Sequence, residues 1–591
     1  MTRRRTLGAI AATAALTMAL AACSSSSGGS SSNNGSGNGS GATSKAAFNA
    51  AVGKVYNPSK VKGGTLRMAN TADWDSLDPG NTYYGYSWNF IRLYTRALTV
   101  MQAAPGDAGA KVVPDLAQTL GVASDGAKTW TYKLKPGIKY EDGTAVTSKD
   151  VKYGVERSLD KATFPNGPTY LNDFLEGGKS YSPYKNKAAG GLKSIETPDD
   201  QTIVFHLSQP FSGFDYFAML PATVPVPQAK DTGSKYKEHV ISTGPYMFKE
   251  NNLGKNFTLV RNPNWDQATD PNRAALPDEI DVALNVNADD VDNRLMAGDL
   301  DVQVDALGLG AAAQGKVLGN PQEKVNADAA TLARTWYTSI NGAVAPFDNV
   351  HCRKAVEYAA DRVGLQTAYG GPIAGGDIAT GLLPPVIPGF EKFDLYPAGA
   401  DNKGDVAKAK AELKECGQPN GFATNMSYRV ERPHEKAAAE SLQQSLDRVG
   451  IKLTLKSYPQ DDYFALYAGK PAFAKKNNLG LIVNGWGADW PDGYGFLSQI
   501  IDSRVIRATG GSSNVSVRDP AIDALIDKAL ATTDTPAREK IWVEADKKVM
   551  DDAYVLPSVW SHGLLYRPKT LKNVFITNGF QEYDYTALGV K

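Results

Sequence analysis

The chain has 591 residues with Lys plus Arg equal to Asp plus Glu at 63 each, so its formal net charge is zero. That balance supplies no basic surface for nucleic acid or for an anionic membrane. Beyond the first 22 residues no apolar run approaches the roughly 20 residues of a membrane span, which excludes a spanning helix there.

At the start, Arg3, Arg4 and Arg5 precede an apolar run from Leu7 to Leu20 and the tetrad Leu20-Ala21-Ala22-Cys23. A charged start, a short apolar stretch and small residues at a cleavage site mark residues 1–22 as a secretory signal. The terminal cysteine resembles a bacterial lipobox, which implies lipid on Cys23 as the mature N-terminus. The arginine triplet also resembles a twin-arginine signal, so Sec and twin-arginine export both stay open. Residues 24–44 are almost pure Ser, Gly and Asn, a flexible tether. Residues 23–60 are therefore expected to be lipid anchor and tether. Residues 61–591 form the body, long enough for two or three subdomains. Loss of the signal removes three arginines and no acid, leaving a net charge of −3. The expected location is the outer face of the cell membrane, reached through lipid alone.

In the body, Thr65–Ala69 alternates after Gly63-Gly64 and predicts a strand. Trp130, Tyr132 and Leu134 predict another, closed by turns at Pro136-Gly137 and Asp142-Gly143. Thr147 and Asp150 form a capping-box pattern before a helix with Val151, Val155 and Leu159 on one face. Ile203, Phe205 and Leu207 predict a further strand. The later half turns to helix–strand units. Asp405 caps a helix through Leu413 that ends at Gly417. Ala438, Leu442, Leu446 and Val449 share a helix face, Gly450 stops it, and Ile451, Leu453 and Leu455 continue as a strand. Asp519-Pro520 and Thr535-Pro536 read as two further helix starts. The mixture predicts α/β lobes.

Chemistry-bearing motifs are sparse. Of three cysteines, Cys23 is assigned to lipid, and Cys352 and Cys416 are an even pair in an oxidising compartment, where a disulfide is the expected state. The five histidines (206, 239, 351, 434, 562) show no zinc-type i, i+4 spacing. His351 beside Cys352 is the one close pair, with a helix end the plainer reading. Gly308-Leu309-Gly310 lacks the third glycine of a dinucleotide fingerprint and reads as a loop or helix start. Gly85-Tyr86-Ser87-Trp88-Asn89 lacks the last glycine of a nucleophile elbow. No cofactor and no metal are expected.

Five blocks in series resemble the extracellular solute-binding proteins of peptide-type ABC importers, family 5. They are WTYKLKPGIKYEDGTAVTSKDVKYGVER at 130–157, TGPY at 243–246 with RNPNW at 261–265, NRLMAGDLD at 293–301, PFDNV at 346–350 with RKAVEYA at 353–359, and GWGADWPD at 485–492. The resemblance covers roughly residues 61–590. It implies a two-lobed, periplasmic-binding-protein-like α/β fold with a hinge of crossing strands. The first lobe would take about 61–97, 190–337 and 561–591, an extra subdomain about 98–189, and the second lobe about 338–560. Cys352 and Cys416 then fall in the second lobe, each interrupting a family-like segment.

The resemblance also implies a function: capture of a peptide by lobe closure and delivery to a membrane permease, by a monomer. A peptide offers its backbone and termini as constant features, and a carboxylate can hold the α-ammonium. By position that carboxylate is Asp489, with Trp486 and Gly487 beside it offering backbone groups and a stacking face. Asp489 in a turn that it merely caps is the alternative. The opposing segment after Ser76-Leu77-Asp78-Pro79 carries Asn81, Thr82, Tyr83, Tyr84 and Gly85. Tyr337, next to Trp336, is placed at the cleft, with hinge packing as its alternative. Relatives often have Asp-Pro where Asp492-Gly493 stands. A non-peptide solute (sugar, opine, metal chelate), an extracellular hydrolase and a surface module without cargo are the competing readings.

Overall fold

The computed structural model describes residues 47–591 apart from 187–189, 305–307, 431, 460 and 461. The signal, Cys23 and residues 24–46 lie outside the described residues.

The first lobe is built on a five-stranded sheet. Thr65–Ala69 alternates as its sequence predicts, burying Leu66 and Met68. It runs parallel to Glu279–Ala283 on one side and Val302–Gln303 on the other. Asn256–Arg261 and Tyr246–Asn252 continue the sheet as an antiparallel pair. Residues 47–60, expected in the tether, belong to this lobe instead. Ala50, Ala51 and Tyr56 are buried in its core. The Ala51 N–H donates to the Asp328 carboxylate at 3.0 Å, and Tyr56 bridges to Val574. This stretch carries the apolar side chains that the Ser/Gly tract lacks, so it can repay the entropy of ordering.

The extra subdomain is a four-stranded antiparallel sheet in the order Val122–Ser124, Thr129–Lys133, Thr202–His206, Ile195–Asp199. Trp130 and Tyr132 sit opposite Phe205 and Ile203. The subdomain therefore extends past 189, because its two inner strands bury each other's apolar faces. The helix Ser148–Ser158 opens with the expected capping box between Thr147 and Asp150.

The second lobe holds a six-stranded mixed sheet. Its order is Gly376–Ile378, Val555–Tyr566, Ala327–Ile340, Leu479–Gly487, Ala423–Arg429, Lys452–Tyr458. The helix–strand units form as read. Asp405 caps Val406–Glu415, and Gly417 follows at φ 77°. Pro433–Asp447 ends before Gly450 at φ 90°, and the strand from Lys452 follows. Asp519 caps Pro520–Ala531. The next helix differs: its cap is Asp534, whose carboxylate accepts the Ala537 N–H at 2.9 Å, so Thr535 and Pro536 are its first two residues. Aspartate wins the cap because its carboxylate reaches the free N–H groups. A disulfide joins Cys352 to Cys416, tying two packed helices.

The long strands Ala327–Ile340 and Val555–Tyr566 run antiparallel from one lobe into the other. Ala327 and Leu564 pack in the first lobe, Ile340 and Leu556 in the second. Their ladder slips between Thr331 and Thr335. The crossing thus lies a few residues before the boundary expected at 337. The extra subdomain also packs on the second lobe through aromatic rings, with Phe217 5.6 Å from Trp490 and Phe211 5.3 Å from Tyr494.

Candidate functional site

Two segments from different lobes meet at the site. In the first lobe the half-buried Asp75 carboxylate accepts the Tyr83 N–H and the Thr82 hydroxyl, each at 2.8 Å. Asp78 caps the turn before them and forms a bidentate pair with Arg157 at 2.7 and 2.8 Å. The loop so fixed presents Tyr83 and Tyr84. Tyr83 stacks on Trp88 with centroids 5.7 Å apart. Tyr84 stacks on Tyr86 and is 55% exposed.

In the second lobe the strand Leu479–Gly487 ends, and the turn behind it opens the helix Gly493–Ile501. The cap of that helix is Asp492, which accepts the Tyr494 N–H at 2.8 Å. Asp489 is thereby spared the capping role. Its Oδ2 accepts the Tyr83 hydroxyl at 2.8 Å and also the hydroxyl of Tyr170 from the extra subdomain. The carboxyl is set deep, with only part of it open to the cleft, and no cation stands beside it among the described residues. Burial pushes it up to about 7, against the opposing pull of the Tyr170 and Tyr83 hydroxyls. Gly493 has its own reason: a Cβ there would lie 2.1 Å from the Trp542 ring.

A second charged group lies along the same strand. Arg334 and Trp336 sit opposite Gly487 and Gly485 in register. A Cβ at 485 would meet the Trp336 ring at 2.3 Å, and one at 487 would meet Arg334 Nη2 at 3.1 Å. The two glycines let these side chains lie across the strand. Trp336 stacks on Tyr369 at 5.3 Å. Arg334 Cζ is 5.4 Å and Arg432 Cζ 5.9 Å from the Trp336 ring centre. Burial, then repulsion by Arg432 and Arg429, brings the Arg334 guanidinium down to about 10.

The family model for bacterial extracellular solute-binding proteins, family 5 (middle region), matches residues 111–506. The chain belongs to this family. Family 5 is a family of solute-binding proteins of ABC transporters, and its members work outside the cytoplasm. The chain is 27% identical over 502 residues to the "Probable D,D-dipeptide-binding periplasmic protein DdpA" of Escherichia coli K12, covering 83% of this chain and 87% of that one. It is 28% identical over 494 residues to the "Glutathione-binding protein GsiB" of Pectobacterium atrosepticum, covering 82% and 86%. Among solved structures, "Clavulanic acid biosynthesis oligopeptide binding protein 2" superposes with a TM-score of 0.89 at 41% identity, over 92% of this chain and 98% of that one. The two-lobed α/β fold is that of these family 5 proteins.

Of the residues singled out from the sequence, this family 5 protein brings Asp489 and Tyr83 into contact across the lobes. Gly487 lies under Arg334, and Tyr84 feels Arg432 across the cleft. Gly85 starts a helix with open space before it. Trp486 and Tyr337 lie in the same apolar cluster as Tyr83 and Tyr170. Their strand positions pair with Thr335 and Asn484, on the opposite face from Arg334 and Trp336. Both pack into the core shared with the extra subdomain, with Trp486 Nε1 and the Tyr337 hydroxyl buried without partners. Sequence reasoning missed Tyr170, Arg334 and Arg432. An arginine within Leu332-Ala333-Arg334-Thr335-Trp336 was the available signal. Among the described residues no cluster of His, Cys, Asp or Glu has a metal-holding arrangement; His351 instead bonds Glu412 at 2.7 Å.

Proposed function

We propose that this protein captures short peptides outside the cell and passes them to the permease of an ABC importer. The observation that carries the reading is Asp489: a desolvated carboxylate at the meeting of both lobes, held by hydroxyls and with no cation beside it among the described residues. A peptide α-ammonium supplies that cation and displaces the tyrosine hydroxyls. The named ligands of its relatives, a dipeptide and glutathione, fit this reading. A "Heme-binding protein A" from Haemophilus influenzae, 27% identical over 473 residues, keeps a non-peptide solute as the second reading. We place the body on the outer membrane face through lipid on Cys23 and the residues 24–46 tether, with residues 47–60 already part of the body.

The test is a four-member calorimetric cycle on a peptide identified by mass spectrometry from the purified protein. Asp489→Asn should weaken binding about a hundred- to a few thousand-fold, the effect of removing one member of a buried pair. N-acetylating the peptide should cost the wild type as much and the variant little more, because both changes delete one pair. Additive losses would remove the ammonium from Asp489.

A further inference from the structure

The balance of charge holds for the chain as a whole but not for one face of the first lobe. Residues 52–62 carry Lys54, Lys60 and Lys62, all exposed, and no acid. Folding sets further lysines against them. Tyr56 bridges to Val574, and the Lys572 ammonium donates to the Asn57 amide oxygen at 3.4 Å. The Asn57 amide in turn donates to the carbonyl of Leu571, two residues beyond exposed Lys569. The Ser59 hydroxyl donates to the Lys591 carbonyl at 2.7 Å, and a Cβ at Gly63 would lie 3.0 Å from Lys591 Nζ. Residues 568–573 and 586–591 hold no acid either.

Six lysines gather here, and none of them forms an ion pair among the described residues. Exposed lysines elsewhere on the body do so: Lys149 has Asp200 at 2.9 Å and Lys249 has Glu279 at 2.8 Å. Asp278, at the rim, is already engaged by the Gly64 N–H and the Arg261 guanidinium, each at 3.2 Å. Apolar side chains share the face. Eleven large apolar residues stay exposed among the described residues, and three of them, Val52, Val55 and Val61, fall within this one stretch. Valines between the lysines gain nothing in water. A lipid headgroup layer takes both, the ammonium groups at its phosphates and short apolar side chains just below them.

The course of the chain points to the same occupant. Ala47, whose carbonyl accepts from Arg567, stands five residues before Val52. The 23 residues 24–46 separate it from Cys23. Even fully extended they span no more than about 80 Å. A lipid on Cys23 therefore keeps this face within reach of a bilayer.

We propose that this face docks on an anionic lipid surface, with Lys54, Lys60 and Lys62 against headgroup phosphates and Val55 and Val61 at headgroup depth. The lipid supplies attachment and the face supplies orientation: the first lobe is seated on the membrane while the second swings about the crossing strands. The proposal rests on the placement at the membrane proposed above and not on the nature of the cargo.

The test uses the mature chain, residues 23–591, with Cys23→Ala, so that no lipid contributes. Its net charge of −3 is repelled by an anionic surface, so any attraction reads a local face. At low ionic strength it should sediment with vesicles of equal parts phosphatidylglycerol and phosphatidylcholine, and release as salt is raised. It should ignore vesicles of phosphatidylcholine alone. Lys54→Gln, Lys60→Gln and Lys62→Gln together should lower the partition coefficient about a hundredfold, at about fivefold for each lysine near the surface, with Tm unchanged. Lys149→Gln, Lys452→Gln and Lys547→Gln together make the same change of charge on other faces and should leave it within about twofold. Val55→Ser with Val61→Ser should lower it about three- to tenfold. No sedimentation of the parent chain would overturn the proposal, as would equal losses in the two triple variants or undiminished binding to phosphatidylcholine. A Lys54/Lys60/Lys62 triple variant that melts well below its parent would make the lysines structural and would equally overturn it. Mass spectrometry of the native protein extracted from membranes reads the lipid on Cys23 separately, so failure of the anchor and failure of the face are told apart.

Discussion

Two sets of buried charge in this molecule are arranged in opposite ways. In the first lobe Arg96 and Arg273 grip opposite oxygens of Asp115, each at 2.7 Å, and Arg273 also holds Asp270 at 2.9 Å. Burial alone would push the Asp115 carboxyl up, but Arg273 and Arg96 outweigh it and hold it below the usual range. In the cleft, burial acts on Asp489 and Arg334 with no opposite charge among the described residues to answer it, so one rises to about 7 and the other falls to about 10. On the function proposed above the difference is one of role: a charge that serves the fold brings its partner along in the chain, whereas a charge that serves a ligand is left open until the ligand arrives.

The largest test of that contrast is Asp115→Ala. It takes from Arg96 and Arg273 the carboxylate they share, leaving both on Asp270 alone, and should cost about 3–5 kcal/mol of stability in urea unfolding. A variant as stable as wild type would erase the contrast. Next comes deletion through residue 60. It strips the Ala51 N–H from Asp328 and the Ala47 carbonyl from Arg567, and it removes buried Tyr56. A loss of about 2–4 kcal/mol is expected, whereas deletion through residue 46 should leave Tm unchanged.

Asp489→Asn should act the other way, and with pH. The carboxyl is raised to about 7 in the folded protein and titrates near 3.9 in the unfolded chain. The folded state thus holds a proton that the unfolded state has already lost. Its stability falls as pH climbs from about 4 to about 7 and stays lower above that. The variant lacks this burden. It should match wild type near pH 4 and exceed it at pH 8 by on the order of 1–2 kcal/mol, read from Tm against pH. A gap that widens toward acid would reverse the assignment. Cys23→Ala should be the smallest, with no change in Tm and a shift of the protein from the membrane to the soluble fraction. Retention on membranes after a high-salt wash would reveal another anchor.

The parts legible in sequence were those set by near neighbours. Alternation marked the strands at 65–69, 129–133 and 202–206, and carboxylate caps marked the helices after Asp405 and Asp519. Asp489 could be singled out because it sits in a long family-like block. Tyr170 was not, since it meets Asp489 from 319 positions away through closure of one body on another. Arg334 could be seen but its lack of a partner could not, because pairing is decided by what folding brings near. The strand face on which Trp486 and Tyr337 lie was not legible either, for a reason of register. Which residues share a strand face with which neighbours depends on pairing register, and the glycines at 485 and 487 leave room for Trp336 and Arg334 on theirs.

The two tyrosine hydroxyls on Asp489 also bear on unloading. If Asp489 holds the cargo's ammonium as proposed, a bare carboxylate in so dry a place would hold on to the departing cation or trap a stray one. Tyr83 and Tyr170, each from a different part of the chain, stand ready to take over those oxygens. On that proposal they make the empty receptor a settled state and so favour letting go.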